Sequence, residues 1–389
     1  MIPMRELVSH SIGGGWGEDI HADGTEQVAI IRGADFPGVA VGDTSAIPRR
    51  WESIRKLPQR TLQPGDIVLE SSGGTSDRPT GRTVFISEQL LDRFDVPVIP
   101  ASFCRLVRID PSMADPHYVY WWLQGMYADG RTWGYQNRST GIANFQFQHF
   151  LDAEKVNLPT PDEQRAIAAT LGTLDDKIES NRRAIRTLQQ LGDAILVASS
   201  NESRLLSDIA DITMGSSPKG ADLNEDGDGL PFYQGTRDFG FRFPTLRVWT
   251  TAPVRTARKD DTLISVRAPV GELNRAGTDC CIGRGVAAIH SETRPSTLYY
   301  AMRSSRSTWN KFQGEGTVFA SVNKADVHDA EIRWVGDDLI LELEEKLQAI
   351  DARIESLERA CRRLAALRDT LLPELISGRV QVPTDGDRA

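Results

Sequence analysis

The chain has 389 residues and a net charge of −9 at pH 7, with 40% hydrophobic and 25% charged residues. This composition is typical of core-forming globular proteins and excludes a disordered chain, and the length favours more than one domain. No apolar run approaches the about 20 residues that span a bilayer. Arg5 and Glu6 interrupt the start of the chain, so we expect no signal peptide and a cytoplasmic protein.

The region before residue 157 predicts short buried strands separated by glycine-rich loops. Apolar runs bounded by Gly, Pro or Asp lie at 28–32, 66–69 and 82–86. Gly13-Gly14-Gly15-Trp16-Gly17 lacks the Lys-Ser or Lys-Thr of a phosphate-binding loop, so we interpret it as a flexible loop. A basic cluster follows it, consisting of Arg49, Arg50, Arg55, Lys56 and Arg60 and opposed by Glu52.

One segment of this region could suggest an enzyme. Asp115-Pro116-His117-Tyr118 resembles the Asp-Pro-Pro-Tyr motif of amino-methyltransferases, but no glycine-rich cofactor turn precedes it. We therefore interpret it as a helix start that leads into core residues Tyr120, Trp121 and Trp122.

Thr160-Pro161-Asp162-Glu163 predicts the start of a long helix, with a capping hydroxyl, a proline at the first helical position and a glutamate that reaches back. The helix should run to about Ala198. Strands at 262–266 and 286–289 follow in a second variable region, where residues 231–294 contain ten Lys and Arg against six Asp and Glu. A second long helix should begin near Asp337 or Asp338 and end at Ser377-Gly378, with Pro373 bending or breaking its last turns.

The two long helices repeat each other. At an offset of 176, residues 171–196 and 347–372 are identical at 12 of 26 positions. Their apolar residues step by three and four, which predicts a heptad seam. In the first helix the seam is Leu171, Leu174, Ile178, Ile185, Leu188 and Ile195; in the second it is Leu347, Ile350, Ile354, Leu357, Cys361, Leu364 and Leu371. Two matching stripes in one chain are expected to pack on each other.

The variable regions also echo each other. Ile12-Gly13 resembles Met214-Gly215, Ile31-Arg32-Gly33 resembles Tyr233-Gln234-Gly235, and residues 65–69 resemble residues 260–264. Cys104, Cys280, Cys281 and Cys361 lack metal-ligand spacing, and the six histidines form no metal-binding pattern, so we expect reduced thiols and no metal.

A resemblance to a known family rests on the two helices. Residues 159–168, which include Pro161-Asp162-Glu163-Gln164, and then 171–178 resemble the central conserved region of specificity subunits of type I restriction-modification systems. Residues 367–378 resemble the C-terminal conserved region of those subunits. The second helix departs from the pattern, since Gly336-Asp337-Asp338 stands where a Pro-x-x-Glu-Gln start would be.

The resemblance implies an α+β fold with two mixed α/β target recognition domains, separated by two long helices that form an antiparallel coiled coil, and a pseudo-twofold internal repeat. It implies the domains 1–156 and 202–335, the helices 157–201 and 336–380, and a disordered tail 381–389. The chain would be a non-catalytic reader of an asymmetric two-part DNA target. Its partners would be double-stranded DNA, two modification subunits that use S-adenosylmethionine, and restriction subunits. The alternative is a self-contained DNA methyltransferase, or another nucleic-acid enzyme with an unrecognised site.

Base reading requires polar or basic side chains on loops that enter a groove. In the first domain our candidates are Ser71, Ser72, Gly73, Gly74, Thr75, Arg78, Arg82, Arg138 and Asn144. In the second they are Ser216, Ser217, Lys219, Gln234, Thr236, Arg237, Arg267, Arg284, Asn323 and Lys324. We interpret Phe103, Phe145 and Phe319 as core residues.

Overall fold

A computed structural model of the protein describes residues 1–138, 143–312 and 321–383, without the side chain of Arg138. The chain divides into two compact units, Met1–Ala184 with Leu357–Ala389 (unit 1) and Ile185–Ser356 (unit 2). Most of the predicted tail 381–389 and the predicted core residue Phe319 lie outside the described residues. No described helix is long and apolar enough to cross a membrane.

Unit 1 begins with a mixed α/β domain. Its strands are β1 (Ile2–Pro3), β2 (Val8–Gly13), β3 (Thr25–Ile31), β4 (Arg49–Ser53), β5 (Ile67–Glu70), β6 (Ser72–Gly73), β7 (Thr83–Phe85), β8 (Val98–Pro100), β9 (Cys104–Ile109), β10 (Gln136–Arg138), β11 (Ala143–Phe145) and β12 (Lys155–Val156). Its helices are α1 (Met4–Leu7), α2 (Phe36–Val39), α3 (Leu57–Arg60), α4 (Glu88–Leu91), α5 (Pro116–Ala128) and α6 (Phe147–Ala153), with 3-10 turns at Gly33–Asp35 and Arg131–Tyr135. The long helix α7 (Pro161–Ser199) follows.

Unit 2 contains the second mixed domain. Its strands are β13 (Glu202–Leu205), β14 (Asp211–Met214), β15 (Leu223–Asn224), β16 (Leu230–Tyr233), β17 (Trp249–Thr250), β18 (Thr256–Ala257), β19 (Thr262–Ser265), β20 (Leu273–Arg275), β21 (Cys280–Ile282), β22 (Val286–His290) and β23 (Glu331–Trp334). Its helices are α8 (Leu206–Ile209), α9 (Pro295–Ser304) and α10 (Lys324–His328), with 3-10 turns at Gly220–Asp222, Thr236–Asp238 and Arg306–Phe312. The second long helix is α11 (Ile340–Ile376), which starts later than predicted and continues through Pro373.

The two mixed domains share one strand topology. The main sheet has the order β2-β9-β5-β7 in unit 1 and β14-β22-β19-β20 in unit 2, antiparallel throughout. A second sheet pairs β3 with β4 antiparallel and with β8 parallel, just as β16 pairs with β17 and β21. The strands β1 and β12, and likewise β13 and β23, join the start of each domain to its end. The predicted internal repeat therefore extends from the helices to the variable domains.

The strand register corrects one of the predicted echoes and confirms two. Ile31 and Tyr233 are equivalent, because their carbonyls accept the amides of Ala101 and Gly283, at 2.8 and 2.9 Å. Gly14, not Gly13, is equivalent to Gly215, because their amides bond the carbonyls of Cys104 and Val286, both at 2.9 Å. Asp66 and Asp261 are equivalent as predicted. They bond Arg108 at 2.7 Å and His290 at 2.6 Å, side chains at the same position of β9 and β22.

The long helices α7 and α11 pack antiparallel within unit 1. Asp175 pairs with Arg368 at 2.6 Å, whereas the backbone oxygen of Ile178, further along α7, meets the Cys361 sulfur at 3.8 Å, earlier on α11. The chain therefore runs in opposite directions in the two helices. Of the predicted seam, Leu171, Ile178 and Ile185 of α7 and the positions from Leu347 to Cys361 of α11 are buried.

Part of the predicted seam is wrong. Leu174, Leu188 and Ile195 of α7 and Leu364 and Leu371 of α11 are only half-buried, whereas Asn181 and Gln189 are buried instead. The reason lies in tertiary contacts, since in unit 2 the amide of Gln189 meets the guanidinium of Arg303 once its oxygen and nitrogen are exchanged. The four cysteines are buried and free of disulfides.

In each unit the mixed domain is attached to a long helix, by apolar packing in unit 1 and by ion pairs in unit 2. In unit 1, α5 shares a hydrophobic core with Leu171, Leu372 and Leu375. In unit 2, the guanidiniums of Arg242 and Arg275 both bind the Asp351 carboxylate of α11. Asp351 is the repeat partner of Asp175, so the same position of the helix repeat makes a different contact in each unit.

Candidate nucleic-acid interface

Four loops of unit 2 meet at one surface. They leave the ends of β14, β16 and β19 and precede β22, and they carry most of the predicted contact residues of this domain. The Ser217 hydroxyl donates to the Gln234 side chain at 3.0 Å and accepts from the Arg284 amide at 3.3 Å. Gln234, Thr236, Arg237 and Arg267 line a cavity of about 440 Å³ at this surface. The sheet therefore brings together residues that are far apart in sequence.

The surface of unit 2 is basic. Arg237, Arg267 and Arg284 are exposed, and none forms an ion pair with another residue in the described part of the chain. The nearby Asp238 is buried, receives the Gln234 amide at 2.7 Å and is neutralised by Arg247 at 2.9 Å. Its charge therefore does not cancel that of the exposed arginines. Exposed guanidiniums at strand ends suit contacts to phosphates and to guanine edges.

Of the remaining candidates of unit 2, Ser216 and Asn323 take part in hydrogen bonds within the domain, whereas Lys219 and Lys324 are exposed lysines. Ser216 is half-buried and its amide bonds the Ile282 carbonyl at 2.9 Å, while Lys219 is exposed on the same loop. Asn323 caps α10, because its side chain accepts from the Asp326 amide at 3.1 Å. That bond gives Asn323 a structural role. Lys324 is exposed at the first position of the helix.

In unit 1 the candidates gather on the small sheet β10-β11-β6. Ser72 and Asn144 are paired across β6 and β11, and the Ser72 hydroxyl donates to the Asn144 side-chain oxygen at 2.6 Å. The Ser71 carbonyl accepts the Phe145 amide at 2.8 Å. Gly73 pairs with Ala143 on the same strands. The sequence order gave no sign of this sheet, because its strands come from residues 72–73, 136–138 and 143–145.

A turn follows β6 and exposes further candidates. Gly74 has a φ of 73°, and the Thr75 amide beyond it bonds the Arg78 carbonyl at 2.8 Å. Thr75 is exposed and Arg78 is half-buried, 3.9 Å from the Glu70 carboxylate. Arg138 lies in β10, but its side chain is outside the described part of the structure.

Arg82 has a structural role within unit 1. Its guanidinium donates to both oxygens of the buried Glu70, at 2.9 and 2.6 Å, and to the Gly33 carbonyl at 2.8 Å. Burial alone lowers the pKa of Arg82, but hydrogen bonds and attraction from Glu70 raise that pKa above its ordinary value. A guanidinium held in this way has few donors left for a base, so we place Arg82 behind the surface.

Two exposed aromatic residues were not predicted as contact residues. Phe103 is 63% exposed, so its interpretation as a core residue was wrong; its carbonyl, not its ring, is tied to the Ser71 amide at 2.8 Å. Trp16 is 42% exposed and carries the Arg50 guanidinium 4.7 Å from its ring centre. Phe145 is buried as predicted. The sequence could have predicted an exposed aromatic side chain at Trp16, because this residue lies in the glycine-rich segment 13–17.

The methyltransferase-like segment has the predicted structural role. Asp115 caps α5, since its carboxylate accepts the Tyr118 amide at 2.9 Å. His117 stacks on Phe85 with ring centres 4.4 Å apart, and burial lowers the pKa of His117. Tyr120, Trp121 and Trp122 are buried. The capping hydrogen bond gives the Asp115 carboxylate a structural role at the start of α5.

Comparison with known proteins finds relatives in sequence and in fold. A protein of Methanocaldococcus jannaschii, described as a putative type I restriction enzyme MjaX specificity subunit, is 27% identical over 270 residues, which are 63% of each chain. The match thus spans less than two thirds of that relative's length. The type I restriction-modification S subunit from M. genitalium is 16% identical with a TM-score of 0.58, covering 96% of this chain and 94% of that one. The HsdS subunit from Thermoanaerobacter tengcongensis is 21% identical over 97% of this chain and 96% of that one, with a TM-score of 0.36. No protein-family model matches the chain.

The fold has two mixed α/β domains of one topology and two long helices that pack together. The solved S subunit shares this fold. The chain is therefore similar in sequence to a type I restriction enzyme specificity subunit and in fold to a solved one, which agrees with the resemblance that the helix motifs indicate.

Proposed function

We propose that this chain is the DNA sequence-specificity subunit of a type I restriction-modification complex. Residues 1–156 (reader 1) and 202–335 (reader 2) each bind one half of an asymmetric two-part target. The helices 157–201 and 336–380 dock modification subunits, and restriction subunits join the full complex. The chain carries no chemistry of its own, acts in the cytoplasm, and leaves S-adenosylmethionine to the modification subunits.

The observation that carries this proposal is the repeated sheet topology with diverged loops. Equivalent strand ends present Ser72 and Asn144 in unit 1 but Arg267 in unit 2. One scaffold with two sets of exposed polar side chains suits the recognition of two different base sequences. A single enzyme site repeated twice would instead require the same reactive residues in both copies.

The helices support the docking of two copies of one partner. Leu191 and Leu367 are identical in the helix repeat, and they are 47% and 48% exposed. Because the same apolar residue stays exposed at the same position of both repeats, one kind of partner could bind each copy in the same way. We therefore propose two modification subunits per chain.

Domain replacement tests the two-reader proposal. Because β1 pairs with β12 at Ile2 and Val156, a replacement of residues 1–156 by the same region of a relative keeps the closing strands together. We expect one half of the methylated sequence to change and the other to stay, measured by methylome sequencing of cells that also express the modification subunits. Replacing residues 202–335, bounded by the pairing of Glu202 with Trp334, is the matched control and should change the other half. If either replacement changes both halves, the two-reader proposal is wrong.

The self-contained methyltransferase remains the competing proposal, and cofactor binding separates the two. We expect the purified full chain to show no S-adenosylmethionine binding in calorimetry and no methyl transfer to duplex DNA. Both should appear when the modification subunits are added. Methyl transfer by the chain alone, abolished by Asp115→Asn, would favour the enzyme instead.

A further inference from the structure

The same backbone position carries candidate base contacts in both units. In unit 1 the Ser71 amide bonds the Phe103 carbonyl at 2.8 Å, and in unit 2 the Val266 amide bonds the Gly285 carbonyl at 3.0 Å. The residues that follow, Ser72 and Arg267, are therefore equivalent.

A second pair of hydrogen bonds extends this equivalence across the strands. The Phe145 amide bonds the Ser71 carbonyl at 2.8 Å, and the Val322 amide bonds the Val266 carbonyl at 3.0 Å. Asn144, which precedes Phe145, therefore lies opposite Ser72. In the same way Ser321, which precedes Val322, lies opposite Arg267. Each unit thus presents one pair of side chains, one from each strand, at the same point of the fold.

The chemistry of this pair differs between the units. In unit 2 it is an exposed guanidinium beside a short, exposed hydroxyl. Arg267 can therefore reach outward, and a guanidinium matches the two acceptors of guanine in the major groove. No carboxylate among the described residues pairs with Arg267.

In unit 1 the pair is an amide and a hydroxyl. The Ser72 hydroxyl occupies one lone pair of the exposed Asn144 side chain at 2.6 Å and so holds the amide in one orientation. An amide matches the donor and acceptor of adenine in the major groove. Phe103 stands where unit 2 has Gly285, and its 63% exposed ring can pack on the methyl group of the paired thymine.

We infer that the pair Ser72–Asn144 and the pair Arg267–Ser321 occupy equivalent base-reading positions. Asn144 then contacts an A·T pair in reader 1 where Arg267, from the other strand of the pair, contacts a G·C pair in reader 2. This inference rests on the proposed function, because it assumes that both units read DNA. It adds the base class that each reader selects at one position. The two halves of the target then differ because one strand pair carries different side chains.

Selection from a random duplex library tests the inference. The full chain, assembled with its modification subunits, is mixed with the library and the bound duplexes are sequenced. Arg267→Ala should flatten a G·C preference at one position of one half, by about 5- to 150-fold, and leave the other half unchanged. Asn144→Ala should flatten an A·T preference in the other half. Arg267→Gln should convert guanine preference to adenine preference, which mere loss of folding cannot do.

Arg353→Ala is the matched control, because Arg353 is equally charged and exposed but lies on the acidic part of α11. It should leave both halves unchanged. If the wild type selects a two-part sequence but Arg267→Gln and Asn144→Ala leave its bases unchanged, the inference is wrong and the proposed function stands. Uniform weakening of all sequences, with the salt slope reduced by about one, would make Arg267 a phosphate contact and also overturn the inference. If the assembled wild type selects no sequence, the proposed function itself fails.

Discussion

Asp351→Ala should lower the free energy of unfolding of unit 2 by about 3 to 5 kcal/mol, the range measured when one partner of a buried ion pair is removed. The Asp351 carboxylate binds two guanidiniums, of Arg242 and Arg275, whose side chains are 0% and 4% exposed. It also accepts the Tyr300 hydroxyl at 3.1 Å. Alanine would leave two buried cations without this shared counter-charge.

The surroundings offer little compensation. The Arg242 guanidinium lies 3.8 Å from the centre of the Tyr299 ring, and two of its nitrogens have no hydrogen-bond partner among the described residues. Arg275 keeps a weaker contact with Asp260 at 3.3 Å. Water would have to enter the interface between the domain and α11 to solvate both cations, which would loosen the attachment of the domain.

Urea unfolding, combined with amide hydrogen exchange in residues 257–302, measures this effect in unit 2. Glu345→Ala is the matched control, because Glu345 is an exposed acid on the same helix; it should change stability by no more than about 0.5 kcal/mol. Equal midpoints for Asp351→Ala and Glu345→Ala would show that the buried cluster does not hold the domain to the helix.

Gly215→Ala should destabilise unit 2 by about 3 kcal/mol or more, the upper range for overpacking. A β-carbon at Gly215 would lie 2.2 Å from the Gly283 carbonyl oxygen and 2.6 Å from that of Val286. Both atoms belong to the backbone, so neither can move without breaking the loop contacts that position Ser217 and Arg284. Binding of specific DNA should weaken together with stability.

The repeat supplies an independent check. Gly14, the equivalent residue of unit 1, would place its β-carbon 2.1 Å from the Pro100 carbonyl oxygen, so Gly14→Ala should destabilise unit 1 similarly. Gly220→Ala is the control, because nothing lies within 4 Å of its β-carbon. Urea midpoints of the three variants test the steric argument. It is contradicted if Gly215→Ala unfolds at the same urea concentration as Gly220→Ala.

The sequence by itself determined the two long helices and five of the strands. The capping residues at Thr160 to Glu163 predicted the start of α7 at Pro161, and all five predicted strands are present within three residues of their predicted ends. These features are local: a cap, a heptad or an apolar run depends on residues that are near in sequence. The internal repeat was visible for the same reason, since its two copies align without a gap.

Only the tertiary structure decided which polar residues share a surface and which are buried. Arg82 precedes an apolar run of the sequence and Arg267 follows one. The structure nevertheless pairs Arg82 with the buried Glu70 and leaves Arg267 exposed. Phe103 is apolar but exposed, and Gln189 is polar but buried against a domain that returns more than 100 residues later. Pairings over such distances depend on how sheets and helices pack, and local patterns carry no information about them. The chain's own sequence therefore predicted its scaffold, whereas the position of each candidate contact followed from packing.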